Sequence, residues 1–208
     1  MSRPELWIVR HGETEWSRTG RHTSHTDVPL TATGEDQARR MAWALAGVRF
    51  DLVLSSPLQR SRQTAALLGY PNVTKEPDLA EWDYGEYEGL TTEEIRRTDP
   101  GWSVWTHPSP GGETADRVGA RADRVIRRVV TEATDRALVV SHGHFLRVLA
   151  ARWNDQPATF GMHLLLDVAT LSVLGWEREA RVIRTWNLHP SPGATRGETG
   201  GGPAAGPS

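Results

Sequence analysis

Three short stretches of the 208-residue chain gather groups that handle anions. They are Arg10-His11-Gly12-Glu13-Thr14, Ser55-Ser56-Pro57 with Arg60 and Arg62 close behind, and Ser141-His142-Gly143-His144. A guanidinium fork matches phosphate oxygens two at a time. Glycine after each histidine lets backbone approach an anion closely. Imidazole supplies a nucleophile, an acid or a base near neutral pH. One His-Gly pair is weak evidence; two, with an arginine fused to the first, are much stronger. With 23 Arg against a single lysine, Lys75, some arginines fall near a histidine by chance, which lowers the weight of Arg62 and Arg147 more than that of Arg10. A metal site is not expected: His142 and His144 lie two apart and diverge after a strand, and neither H-x-x-E-H nor H-E-x-x-H occurs. Zero cysteines exclude a thiolate zinc site, an iron–sulfur cluster and a Cys nucleophile.

Each stretch follows an apolar run of the kind that forms a strand buried on both faces: Leu6 to Val9, Leu52 to Leu54, and Ala137 to Val140. Between them lie helical patterns. Ala38, Met41, Ala42, Leu45 and Ala46 form one face, with Thr31 as N-cap and Gly47 as stop. Further helices are expected around Leu58 to Leu68, after a Thr91/Glu94 capping box, from Thr114 to Thr134, and along Leu146 to Trp153. Strands around Leu171 to Trp176 and Arg181 to Trp186, joined by a turn at Glu177-Arg178-Glu179, close the domain. This alternation predicts a three-layer α/β/α sandwich with a mainly parallel central sheet. In such sheets ligands bind beyond the carboxyl ends of the strands, where all three stretches lie.

One domain is expected over 1–190. Half of residues 191–208 are Gly or Pro, and none is a large apolar residue, so that stretch reads as a disordered tail. A net charge of −2 argues against nucleic-acid or membrane-surface binding. No apolar run reaches the roughly 20 residues of a membrane span, and the polar start carries no secretory pattern, so a cytoplasmic protein is expected. The strands near the C-terminus leave an edge on which a homodimer could form.

Arg10-His11-Gly12-Glu13-Thr14 resembles the signature of the histidine phosphatase superfamily, with its phosphoglycerate-mutase-like fold. Five further blocks resemble that family in family order: Pro29-Leu30-Thr31 with Gly34 and Gln37; Ser55 to Arg60 with Thr64; Leu79 to Gly85 with Glu88-Gly89; Gly111 to Thr114; and Ser141-His142-Gly143. The resemblance runs from residue 6 to about 187. It implies that His11 is the nucleophile and becomes a phosphohistidine, that Arg10, Arg60 and His142 complete the phosphate pocket, and that Glu81 donates the proton to the leaving alcohol. It further implies substrate contacts from Ser17, Thr23 and Gly143, with Ser24, where the family commonly has Gly, narrowing the pocket; His144 either contacts the phosphate or caps the helix that follows. Trp102 and Trp105 are expected to pack rather than to wall the site.

The resemblance covers mutases and phosphatases. Mutases of this fold usually carry a longer insertion with extra basic residues after the acid loop. Here 22 residues separate Gly89 from Gly112, with only Arg96 and Arg97 basic. A metal-independent, cofactor-free phosphomonoesterase acting on small phosphorylated metabolites is therefore expected, of the acid phosphatase or sugar-bisphosphatase branch. The alternatives are a cofactor-dependent phosphoglycerate mutase and a catalytically silent module that binds phosphorylated ligands; a silent module would be expected to have lost the nucleophile or the acid.

Overall fold

The computed structural model describes residues 3–189. The tail expected over 191–208 lies outside them. Six strands form one sheet: β1 (Glu5–Arg10), β2 (Leu52–Ser55), β3 (Thr74–Lys75), β4 (Arg136–Ser141), β5 (Leu171–Glu177) and β6 (Ala180–Leu188), in the order β3-β2-β4-β1-β5-β6. The pairs β1–β4, β2–β4 and β2–β3 are parallel; β5 pairs antiparallel with β1 and with β6. The sheet is therefore mainly parallel, as expected.

Strand alternation sorts the apolar residues to two faces. Leu6, Ile8, Ala137 and Val139 join one core with Val118, Ala122, Val125 and Val129 of α5 (Ala115–Glu132) and Leu146, Leu149 and Trp153 of α6 (Gly143–Trp153). Trp7, Val9, Leu138 and Val140 join the other with Met41 of α2 (Ala32–Ala44) and Ala65 of α3 (Gln59–Leu67). The strands read as continuous apolar runs because both faces are covered. Thr31 caps α2 by accepting from the Gly34 amide, and Thr91 with Glu94 forms the capping box of α4 (Thr92–Thr98). Two small elements had no periodic signal: β3, and α1 (Glu15–Arg18), whose capping box joins Thr14 and Ser17.

The sheet brings the three strand ends together. Arg10 stands in register with Ser141, and Ser55 with Val140; the His11 amide donates to Ser141 O and the Ser56 amide to Val140 O. The turn after β1 is then fixed against α2 and α3. The Gly12 amide donates to Thr64 Oγ1 (3.1 Å), the Glu13 amide to Gln37 Oε1 (2.9 Å), and the Thr31 amide to Glu13 O (3.0 Å). Gly12 and Gly34 pack backbone to backbone: a Cβ on Gly34 would lie 2.1 Å from Glu13 O.

That contact generates a prediction. Gly34→Ala forces the His11-bearing turn off α2 and destabilises by about 1–3 kcal/mol, several degrees of Tm, as overpacked sites do. Thermal unfolding checks it; an unchanged Tm would show that the turn yields freely.

Candidate active site

A cavity of about 160 Å³ opens at the strand ends, lined by Arg10, His11, Thr14, Ser17, Gly20, Arg21, His22, Thr23, Glu81, Tyr84, Gly143, His144, Arg147 and Leu166. Of the residues expected from the sequence, it unites His11, Arg10, Glu81, Ser17, Thr23, Gly143 and His144. Arg60 and His142 do not line it; they stand behind His11.

His11 is buried, and its Nδ1 donates to its neighbour's carbonyl, Gly12 O, at 2.7 Å. In the neutral ring that bond places the proton on Nδ1 and leaves the Nε2 lone pair unprotonated. Burial, then the charges of Arg60 and Arg10, hold the imidazole well below its ordinary pKa. Arg10 donates through Nη1 to Leu166 O (2.5 Å), while its buried Nε has no partner among the described residues. Gly143 lets this guanidinium lie against the start of α6: a Cβ there would be 3.1 Å from Arg10 Cζ.

Arg60 is 1% exposed, and its donors are engaged. Nη1 donates to Thr26 O, Nη2 to Thr23 O and Ser24 O, and Nε to His142 Nδ1 at 3.1 Å. Because a guanidinium only donates, His142 carries its proton on Nε2, which faces Ser56 Oγ at 2.7 Å. Burial and Arg60 hold His142 well below its ordinary pKa, so the ring is neutral. The ring centroids of His11 and His142 are 5.1 Å apart, edge to face. Arg60 thus binds the 23–26 loop and orients His142. Ser24 does not narrow the cavity: it is buried, and its amide and hydroxyl donate to Glu88, which also accepts the Thr26 amide.

Glu81 is 8% exposed and sits at the N-terminus of α6. Its Oε1 accepts from the Trp82 and Phe145 amides (2.9 and 2.8 Å), and Oε2 from the His144 amide (3.0 Å). A helix N-terminus suits a carboxylate, since its first amides lack helical partners. Ser17 Oγ is engaged with Thr14, and Thr23 Oγ1 donates to Arg21 O.

Sequence reasoning missed several lining residues. Tyr84 O–H meets His144 Nδ1 at 2.6 Å, and burial raises the phenol well above its ordinary pKa, so it stays neutral. Arg147 lies four residues after Gly143, on the same face of α6, a spacing that could have marked it. It is held by Gly161 O and Met162 O and stacks 4.6 Å over Trp105. Arg21 and His22 arrive on the loop after α1, and no periodicity announces them. Trp105 and Trp102 pack behind His144 and His22 respectively, as expected. Among the described residues no group of three His, Asp or Glu is arranged to hold a metal, and no helix is long and apolar enough to cross a membrane.

Known proteins resemble this chain in sequence and in fold. An acid phosphatase of Mycobacterium tuberculosis is 41% identical over 192 residues, covering 90% of this chain and 95% of that protein. Sedoheptulose 1,7-bisphosphatase of Saccharomyces cerevisiae is 36% identical over 182 residues, covering 72% and 67%. The solved structure of a Mycobacterium tuberculosis open reading frame product superposes with a TM-score of 0.85 at 39% identity, covering 90% of this chain and 99% of that one. The fold and these relatives define a phosphatase. Residues 6–189 match the sequence model of the histidine phosphatase superfamily (branch 1), and the chain belongs to that superfamily.

Burial of His22 generates a prediction. Its pKa is lowered from 6.5 to about 4 by desolvation. The unfolded chain therefore binds a proton over that interval that the fold refuses. The stability this represents is present above about pH 6.5 and lost as pH falls towards 4, on the order of 3 kcal/mol. Urea unfolding at pH 7 and pH 4.5 should show a smaller stability difference for His22→Gln than for the parent; equal differences would mean that the folded protein protonates His22 freely.

Proposed function

We propose that this phosphatase is a metal-independent phosphomonoesterase that hydrolyses small phosphorylated metabolites through a phosphohistidine on His11. The observation that carries the reading is the Nδ1 donation of His11 to Gly12 O beside the unpartnered Nε of Arg10. Both residues line one small cavity, so an imidazole and a guanidinium stand where a phosphate would bind. A monoester carries close to two negative charges, which arginines stabilise in the ground and transition states.

In the proposed cycle, His11 Nε2 attacks phosphorus in line. The N–P bond forms as the ester P–O bond breaks, and the leaving oxygen takes a proton from the Glu81 carboxyl. Water, losing its proton to Glu81, then attacks the phosphohistidine and releases inorganic phosphate, restoring both residues. Arg10 holds phosphoryl oxygens, with the Gly143 backbone and the His144 ring beside it. Ser17 and Thr23 shape the opposite wall, since their hydroxyls are engaged locally. Arg60 acts from behind, suppressing protonation of His11, fixing the 23–26 loop and orienting His142.

Hydrolysis is favoured over mutase chemistry because Arg96 and Arg97 face elsewhere: Arg96 donates to Trp102 O, and Arg97 pairs with Glu93. Neither lines the cavity. A silent binding module is disfavoured because the nucleophile and the acid are both present and in one cavity. The cavity, well below the roughly 300 Å³ of a typical ligand pocket, suits a phosphoryl group with a small leaving group.

Two outcomes follow. Hydrolysis of p-nitrophenyl phosphate persists in EDTA and vanishes in His11→Ala, and acid-labile, base-stable phosphate is trapped on His11; phosphate on Ser or Asp would overturn the mechanism. Glu81→Gln lowers the single-turnover rate at which an alkyl phosphate phosphorylates the enzyme by roughly 10²–10⁴-fold, and far less the rate for p-nitrophenyl phosphate, whose leaving group needs little protonation.

A further inference from the structure

Glu81 belongs to a stretch without regular support. Between β3 and α4 the chain makes only single 3₁₀ turns at Pro77–Leu79 and Gly85–Tyr87. A proton donor must sit within hydrogen-bond reach of its target, and a misplacement of about 1 Å can cost a hundredfold in rate. Something other than secondary structure must hold this loop.

Core packing of Leu79 and Trp82, the Arg124–Asp78 pair and the Ser141 hydroxyl on Leu79 O hold its ends, and one further ion pair outside the cavity grips the backbone on both sides of Glu81. Arg121, on α5, uses all five of its N–H donors on this loop and on Glu113. Nη1 donates to Asp78 O (2.7 Å) and Ala80 O (2.9 Å). Nη2 donates to Glu81 O (3.3 Å) and Glu113 Oε2 (2.7 Å), and Nε to Glu113 Oε1 (2.9 Å). Glu113 continues the grip on the other side of Glu81. Its Oε2 accepts the Asp83 amide (3.1 Å), its amide donates to Asp83 O (2.9 Å), and its carbonyl accepts Trp82 Nε1 (3.0 Å). The pair is largely shielded, with side chains 13% and 15% exposed. Arg121 also stacks 5.0 Å over the ring of Phe145, whose amide holds Glu81 Oε1.

The guanidinium thus touches both the backbone of Glu81 and the residue that anchors its carboxylate. It has no donor left for a phosphate and lies outside the cavity lining. Only a planar, five-donor head can serve three carbonyls and a bidentate carboxylate together; an ammonium offers three donors from a point. We propose that Arg121 and Glu113 are positioning residues that clamp the 78–83 loop so that the Glu81 carboxyl meets the leaving oxygen. The proposal rests on the reading of Glu81 as the proton donor.

The test compares full-length enzyme with Arg121→Met, Arg121→Lys, Glu113→Gln, Glu81→Gln and the double variant Glu81→Gln/Arg121→Met. Each is assayed on an alkyl phosphate, glycerol phosphate, and on p-nitrophenyl phosphate in single turnover, which reads enzyme phosphorylation apart from the water step that both substrates share. The clamp predicts a loss of phosphorylation rate on the alkyl phosphate of about 10- to 100-fold for Arg121→Met, with p-nitrophenyl phosphate falling less than about threefold. Arg121→Lys should recover little. The double variant should lose scarcely more than Glu81→Gln alone, because both changes disable one proton transfer. Should Arg121→Met fail to accumulate folded, Glu113→Gln, equal in size and lacking one charged acceptor, must show the same selective loss in smaller degree. Equal losses on both substrates, or full additivity in the double variant, would reduce the pair to a fold support and overturn the proposal. If Glu81→Gln itself hurts both substrates alike, the proton-donor reading falls and takes the clamp with it. If Glu81→Gln is selective and the clamp variants are not, the reading stands and the clamp alone falls.

Discussion

The site depends on the burial of two guanidiniums, Arg10 and Arg60, around a pair of imidazoles. Desolvated cations are tolerated only when their donors are satisfied and an opposite charge lies near. Arg60 meets the first condition through three carbonyls of the 23–26 loop and the Nδ1 of His142. Glu81 in its ionised form meets the second: that charge opposes the desolvation that lowers the proton affinity of both arginines. The same two charges, added to burial, keep His11 and His142 neutral. A neutral imidazole beside fixed cations is the state in which it can attack a phosphoryl group. Because His11 refuses a proton well below its ordinary pKa, its titration does not set the acidic limit of activity near pH 6, the limit an unperturbed histidine would impose.

Around that centre the loops are held by carboxylates as well as by apolar packing, since Leu79, Trp82 and Tyr84 are buried in the core. Glu88 gathers the amides of Ser24 and Thr26, and so shapes the carbonyl bed on which Arg60 rests. Glu113 takes the amide of Asp83 beside the acid. Glu81 gathers three amides at the start of α6. Each carboxylate satisfies amide donors that a loop would otherwise bury unpaired. His11 differs: it stands one residue past a strand buried on both faces, where the sheet itself sets its position.

That difference explains what could be read from the sequence. His11 and His142 were legible because a continuous apolar run fixes a strand, and a strand end fixes the residue that follows it. Thr31, Gly34 and Gln37 were legible as a family block, and the structure gives their physical reason, since all three touch the turn at 12–13. Arg21 and His22 were not legible. They depend on a four-residue helix and on an isolated bridge between Arg21 and Thr91, which leave no period in the chain. Arg147 was visible at helical spacing but was discounted in an arginine-rich chain. For Arg60 the position was right, but the direction of its donors was beyond reach: residue type does not say whether a guanidinium turns towards a cavity or towards three carbonyls.

The proposed cycle uses Glu81 twice, as acid and then as base, and this bears on why its loop is tied so fully. The leaving oxygen and the incoming water occupy the same position on the in-line axis, on the side of phosphorus opposite His11 Nε2. A carboxyl fixed at that position serves both steps without moving, losing its proton to one oxygen and regaining it from the next. Mobility would add nothing and would spread the donor over unproductive positions. A loop anchored at 78, 80, 81 and 83 is what such a two-step proton exchange requires, whereas an enzyme that had to exchange one large intermediate for another at this site would need the same loop to yield.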